Sequence, residues 1–169
     1  MNYVGIDPSF RKSGFAVCVI DETGEVGFKV FYRFLEFIKW ATTEGELPQP
    51  AYITIENSNL QNITFNMRGS RNVVAKTSRD VGKNMAASQY TVDFCEWLVG
   101  SGNVLGISPR QKGAKWNDAT FRAVLRQNRH TVHDYKGNKN EQDKRDAYQL
   151  ALHGMKHAST RKMLARARK

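Results

Sequence analysis

Tyr3-Val4-Gly5-Ile6-Asp7-Pro8, followed after the turn Ser9-Phe10-Arg11-Lys12-Ser13-Gly14 by Phe15-Ala16-Val17-Cys18-Val19-Ile20, decides how this chain folds. Two short apolar runs separated by a turn bounded by Pro and Gly read as neighbouring strands, and the second, apolar throughout, reads as largely buried. Asp21-Glu22-Thr23-Gly24 supplies a hairpin turn, and Val26 to Val30 is its return strand. Phe34, Leu35, Phe37, Ile38 and Trp40 predict a short helix that ends before Gly45 and the Pro48-Gln49-Pro50 breaker, and Ala51 to Glu56 is a fourth strand. Val81, Met85, Ser88, Val92, Cys95 and Val99 recur at spacings of 4, 3, 4, 3 and 4, which puts them on one stripe of a long helix stopped by Gly100 and Gly102. Val104 to Ile107 is a fifth strand. Phe121, Val124 and Leu125 mark a helix capped near Asn117, and Ala147, Leu150, Ala151 and Met155 mark a last helix capped near Asn140. The order βββαβαβ followed by helices predicts an α/β layer fold in which an antiparallel meander leads into parallel strands.

The chain of 169 residues is the length of one domain, and its 40% hydrophobic and 11% aromatic content excludes a disordered chain. Lys and Arg number 26 against 16 Asp and Glu, and the excess is localised. Residues 1–107 hold 10 basic and 11 acidic side chains, whereas residues 108–169 hold 16 and 5. Such a balance points to a polyanionic partner, against solvated surface charge as the plain alternative. Arg68, Arg71, Lys76, Arg79 and Lys83 form a second basic stretch leading into the long helix. As phosphate contacts they would position a nucleic acid without reading its bases. No run approaches the roughly 18 apolar residues of a membrane helix, and the first residues lack the basic and apolar regions of a secretory signal. The expectation is a cytoplasmic, DNA-associated protein with no membrane partner. Cys18 and Cys95 lie in apolar segments without metal-ligand spacing and read as small buried hydrophobes. The expected organisation is one domain over residues 1–158 and a basic tail over 159–169.

Four carboxylates stand where chemistry would be placed. Asp7 and Glu56 each end an apolar strand, and Asp143 and Asp146, three apart, share a face at the start of the last helix. Singly, an Asp at a strand end can satisfy a turn, and acids in a first helical turn are favoured by the macrodipole. Converging, like charges are costly to bring together unless hard cations hold them, and carboxylate oxygens are what Mg²⁺ prefers. Two such ions can activate water and stabilise the leaving oxygen in phosphodiester hydrolysis. The i, i+4 pair His153 and His157 lacks a third ligand and reads as a surface pair; Trp40, Trp97 and Trp116 read as core or interface residues.

Gly5-Ile6-Asp7-Pro8, closing on Ser13-Gly14-Phe15-Ala16-Val17, resembles the opening motif of the RuvC-type Holliday junction resolvases of the RNase H-like superfamily. Ile53-Thr54-Ile55-Glu56 resembles their second acidic motif, and Asp143-Lys144-Arg145-Asp146-Ala147-Tyr148-Gln149-Leu150-Ala151 their closing DxxDAxxxA helix. The likeness runs in order from residue 3 to about 155. It implies a five-stranded mixed sheet flanked by helices on both faces, and two Mg²⁺ ions per site, with Mn²⁺ as a substitute, held by Asp7, Glu56, Asp143 and Asp146. It also implies a homodimer, with the long helix carrying Met85, Val92 and Cys95 in its interface, that cuts two strands of a four-way junction. Arg110-Gln111-Lys112 and Lys115 match the region where the family places a basic side chain near the scissile phosphate, with Lys112 the candidate. Arg11 and Lys12 in the first turn join the expected DNA contacts. The polar segment Asn57 to Gly69 departs from the family, whose cellular members carry an aromatic wedge there; Leu60 or Phe65 would replace it. This divergence and the basic extension beyond Ala158 would suit a phage or prophage member.

Other readings use the same residues. Asp7-Pro8-Ser9 followed by Gly also resembles the phosphate loop of sugar kinases and actin-like ATPases, but these need two such domains. An RNase H acting on RNA–DNA hybrids would need the same acids and no dimer. A DNA-binding module that has kept only the fold would not need all four acids.

Overall fold

β1 (Asn2–Asp7) runs through the interior of a six-stranded mixed sheet, antiparallel to β2 (Phe15–Ile20) on one side and parallel to β4 (Ala51–Glu56) on the other. The full order is β5-β4-β1-β2-β3-β6, with β3 (Glu25–Phe31) antiparallel to β2 and β5 (Val104–Ile107) parallel to β4. Residues 1–8, 15–43, 46–60, 70–138 and 141–167 are described by this computed structural model. Arg11, Lys12, Phe65, Arg68 and the expected cap Asn140 lie outside the described residues. The sixth strand corrects the expectation of five. β6 is only Thr131–Val132, added in parallel to the start of β3, and a two-residue strand has no periodicity by which to be read.

Helices cover both faces, as the interrupted α/β pattern requires. One core joins Val4, Ile6, Val17, Ile53 and Ile55 to Phe37 and Trp40 of α1 (Phe34–Thr42) and to Cys95 of α2 (Arg71–Val99). The other joins Ala16, Cys18 and Ile20 to Phe121 and Leu125 of α4 (Asp118–Asn128) and to Ala147, Tyr148 and Ala151 of α5 (Gln142–Ala167). Both cysteines are buried and free, as read. Asn117 caps α4 by accepting a hydrogen bond from the Thr120 amide at 2.8 Å. α2 begins ten residues before the apolar stripe does, and its first turns, carrying Arg71, Lys76, Arg79 and Lys83, are exposed. Val92 and Cys95 pack on the chain's own sheet, while Met85 stays exposed. Trp40 is core, Trp116 is half-buried, and Trp97 is exposed, so Trp97 is not a core residue. α5 continues without a break across the expected boundary at residue 158, making residues 159–167 the end of that helix. No helix among the described residues is long and apolar enough to cross a membrane.

The backbone of α5 lies directly on β1 because Gly5 has no side chain. A Cβ there would stand 1.9 Å from the Ala147 carbonyl oxygen and 2.4 Å from the Ala151 nitrogen, both backbone atoms that cannot turn aside. Ala147 and Ala151 answer with the smallest side chains on the helix face. Gly5→Ala should therefore destabilise the protein by about 3 kcal/mol, the upper range for forced overpacking, or roughly 6–12 °C in Tm. Gly27→Ala on β3, where a Cβ meets nothing within 4 Å, is the control expected to melt within about 2 °C of wild type by calorimetry. Equal melting of the two variants would contradict the close helix–strand contact.

Candidate active site

The register of β1 and β4 builds the first half of the site. Ile6 pairs with Ile55 in parallel, so the next residues, Asp7 and Glu56, leave neighbouring strands side by side at their carboxyl ends. Both project toward α5, because Gly5 and Thr54, two residues back on each strand, face Ala147 and Gly154 of that helix. α5 supplies the second half. Its contact with Gly5 at Ala147 carries the preceding turn, with Asp143 and Asp146, over the same sheet edge. Asp7, Glu56, Asp143 and Asp146 thus line one cavity of about 180 Å³, with Pro8, Ser58, Asn84, Ser88, Lys112 and Lys115. This is the crevice outside the carboxyl ends of parallel strands where open α/β sheets place their ligands.

Lys112 enters this cavity from the residues after β5. Its side chain is 5% exposed, with Nζ 2.5 Å from Glu56 Oε2 and 3.2 Å from Asp146 Oδ2. Glu56 Oε2 is itself buried and, among the described residues, has no hydrogen-bond partner beyond this ammonium. Burial alone would lower the Lys112 pKa, but Asp7, Glu56 and Asp146 outweigh it and raise it above the ordinary lysine value. Gln142 Nε2 donates to Asp146 Oδ1 at 2.8 Å, and exposed Lys115 stands 3.8 Å from Asp146 Oδ2. Asp7 takes the electrostatic strain of the cluster. Crowding by protein, then Glu56, with smaller contributions from Asp146 and Asp143, push its carboxyl up to about 7 against the pull of Lys112.

Four carboxylates, with no thiolate or imidazole among them, are a donor set suited to a hard cation. As the side chains stand, no three His, Cys, Asp or Glu among the described residues close into a metal cage, and the Lys112 ammonium lies between two of the acids. The His153 and His157 pair contributes nothing to it. His157 Nδ1 is 2.9 Å from the Tyr52 hydroxyl, and His153 lines a separate cleft with its pKa lowered by burial and by His157 and Lys156.

Several supports escape a sequence reading. Lys112 ends a short helix, α3 (Pro109–Lys112), rather than lying in a loop. Ser108 and Gln111 form a reciprocal capping box there, with hydrogen bonds of 3.2 and 2.8 Å, and the S-x-x-Q spacing was its signal. Arg145, 5% exposed, donates to the Trp116 carbonyl, the Tyr135 hydroxyl, the Asn138 carbonyl and Gln142 Oε1. Glu141 Oε2 gathers the amides of Lys136, Gly137 and Asn138. Together they fix the start of α5 and hence its acids. Asn59 Nδ2 bonds the Met85 carbonyl and the Ser58 amide bonds Ser88 Oγ, so the segment after Glu56 opens as a tie to α2. Leu60 is half-exposed at its end, and Arg110 is exposed on α3.

Comparison of the chain with family profiles, curated proteins and solved structures gives no match.

A carboxyl with a folded pKa above its unfolded value of 3.8 stabilises the fold at low pH and loses that contribution as pH rises through about 7. Metal-free wild type should therefore weaken between pH 5 and pH 8.5. Asp7→Asn, isosteric and uncharged, should lack this loss and be the more stable protein at pH 8.5. The difference that opens between the two proteins over this range is at most ~3 kcal/mol, from about 1.4 kcal/mol per unit between pH 5 and the folded pKa of about 7, and is reduced because the carboxyl still reaches the cavity. Urea unfolding in chelator across this range measures it, and parallel pH profiles would show that Asp7 is not crowded.

Proposed function

We propose that the protein is a Mg²⁺-dependent, structure-selective DNA endonuclease of the RuvC-like, RNase H-like type, resolving four-way junctions by paired strand incision. The observation that carries this reading is the meeting of Asp7, Glu56, Asp143 and Asp146 around one cavity at the carboxyl ends of β1 and β4. Asp7, Glu56, Asp143 and Asp146 are the residues that would hold the Mg²⁺ ions. When bound, the ions supply an activated water and stabilise the leaving oxygen.

The chain's own residues do the rest. Asp7 and Glu56, fixed by strand register, keep the donors pre-positioned, so little reorganisation accompanies reaction. Lys112 and Lys115 put positive charge at the cavity, where an incoming phosphodiester would otherwise meet only carboxylates. Arg110 and the exposed basic turns of α2 offer phosphate contacts; Arg11, Lys12, Arg68 and Phe65, outside the described residues, and Leu60 remain the other proposed DNA contacts, with Leu60 or Phe65 as the wedge at the branch point. A C₂ homodimer would present two equivalent sites to a junction with the same symmetry. Val92 and Cys95 are committed to the chain's own core, so exposed Val73, Met85, Tyr90 and Trp97 are the large apolar α2 side chains available to such an interface.

Asp7→Asn or Glu56→Gln should cut junction cleavage by about 10³-fold or more, corresponding to roughly 4 kcal/mol of transition-state stabilisation, while junction affinity is unchanged or tighter. The assay compares a labelled four-way junction, a linear duplex and an RNA–DNA hybrid, each with Mg²⁺ and with chelator. Preferential cutting of the hybrid would favour an RNase H. Binding without cutting of any substrate would favour a non-catalytic module. Light scattering with junction present should give the mass of the junction plus twice the chain mass of 19.2 kDa. A monomer there would remove paired incision.

A further inference from the structure

We infer that Lys112 is a resident cation of the carboxylate site, seated by Gln149, and that its ammonium must leave that seat for a divalent metal to bind. The inference rests on the metal-site reading above and assigns two residues a part in metal loading.

The first support is location. Nζ lies 2.5 Å from Glu56 Oε2 and 3.2 Å from Asp146 Oδ2, the oxygens of a strand-borne and a helix-borne ligand. Mg²⁺ takes carboxylate oxygens at about 2.0–2.1 Å, so an ion on either oxygen with the ammonium still in place would bring two cations within about 5 Å of each other. The two occupants exclude each other. The second support is charge. Four carboxylates line the cavity, and Lys112 is the buried cation among them; Lys115, 68% exposed, stands farther off. Removing the Lys112 charge would leave the acids to repel one another.

The third support is the seat itself. Gln149, 8% exposed, donates from Nε2 to the Lys112 carbonyl at 2.6 Å and to the Ala114 carbonyl at 3.4 Å. It sits on α5 three residues after Asp146, so the backbone bearing the ammonium is stapled to the helix bearing its partner. The capping box of α3 rigidifies the same segment from the other side. Backbone fixed at Lys112 leaves the four-carbon side chain free to swing. In the seat, Lys112 holds the metal-free acids together; out of it, the ammonium faces the cavity mouth beside Lys115. Gln149 is a positioning residue, acting through Lys112.

The test is calorimetric titration of the DNA-free protein with Mn²⁺, with circular dichroism on every variant. Lys112→Met should bind its first Mn²⁺ at least tenfold tighter than wild type and melt lower in chelator, whereas Lys112→Arg, which keeps the charge, should stay within about threefold of wild type. Gln149→Leu should bind at least threefold tighter, and this variant decides the matter if Lys112→Met does not fold without metal. Unchanged or weaker Mn²⁺ binding by folded Lys112→Met, or by Gln149→Leu in its place, overturns the inference. Asp7→Asn in the same titration separates the two levels. If it binds Mn²⁺ like wild type, the carboxylate site is not a metal site; if it loses Mn²⁺ while Lys112→Met is unchanged, only the role of Lys112 falls.

Discussion

The approach of α5 to β1 at Gly5 is the constraint on which the rest of the structure depends. With backbone against backbone at Ala147 and Ala151, the helix cannot slide along β1 without meeting Cβ atoms. Gly154 repeats the device two turns later, where a Cβ would stand 2.2 Å from Thr54 Oγ1 on β4. Two contacts on two parallel strands fix both the position and the direction of α5. The turn before Ala147 then has one place to be, above the carboxyl ends of β1 and β4. The acids at 143 and 146 are brought to those at 7 and 56 by packing rather than by attraction, which like charges could not supply.

That separation of causes explains the energetic character of the site. The core is made by apolar residues on the alternate positions of the same strands, Val4 and Ile6 on β1, Ile53 and Ile55 on β4, which pack on α1 and α2. Their burial holds the strands whatever happens at the acids. The sheet can therefore carry a crowded carboxyl at Asp7, with its pKa pushed up to about 7, as a local cost offset elsewhere. Arg145 and Glu141 extend the same logic to the start of α5, where Arg145 donates to neutral oxygens and Glu141 accepts backbone amides and pairs with Lys144.

How much of this is legible in the sequence follows from the range of each interaction. Strands such as Ala51–Glu56 and the Asn117 cap are local patterns, apolar runs and a side chain reaching its own helix, and they read correctly. β6 and α3 are too short for periodicity. The exposed start of α2 has no apolar stripe to announce it, and its helical extent is visible only in the structure. Asp7, Glu56, Asp143 and Asp146 stand out because carboxylates at apolar strand ends and on one helix face are unusual placements, and the cavity gathers all four. The partners of Lys112 are another matter. Residues 56, 112, 146 and 149 meet through the fold alone, and no spacing within the chain encodes that Gln149 holds the Lys112 carbonyl.

The charge distribution is the physical support for the proposed polyanionic substrate. A protein with an excess of ten positive charges nevertheless concentrates four acids in one cavity, an arrangement that would repel a phosphate at close range. Long-range attraction and short-range chemistry must be separated in space, and the chain does so along its length. The basic C-terminal third contributes Lys112 and Lys115 to the cavity of the acids, and α2, whose first turns are basic, reaches the same cavity at Asn84 and Ser88. At moderate salt the outer charges act over about 10 Å, enough to orient a duplex arm before it touches the protein. Within the cavity the balance reverses, and a phosphodiester is accommodated only if cations stand between it and the carboxylates. On the proposed reading bound metal would stand between the acids and the phosphate, which is why the basic surface and the acid cluster support one reading rather than two.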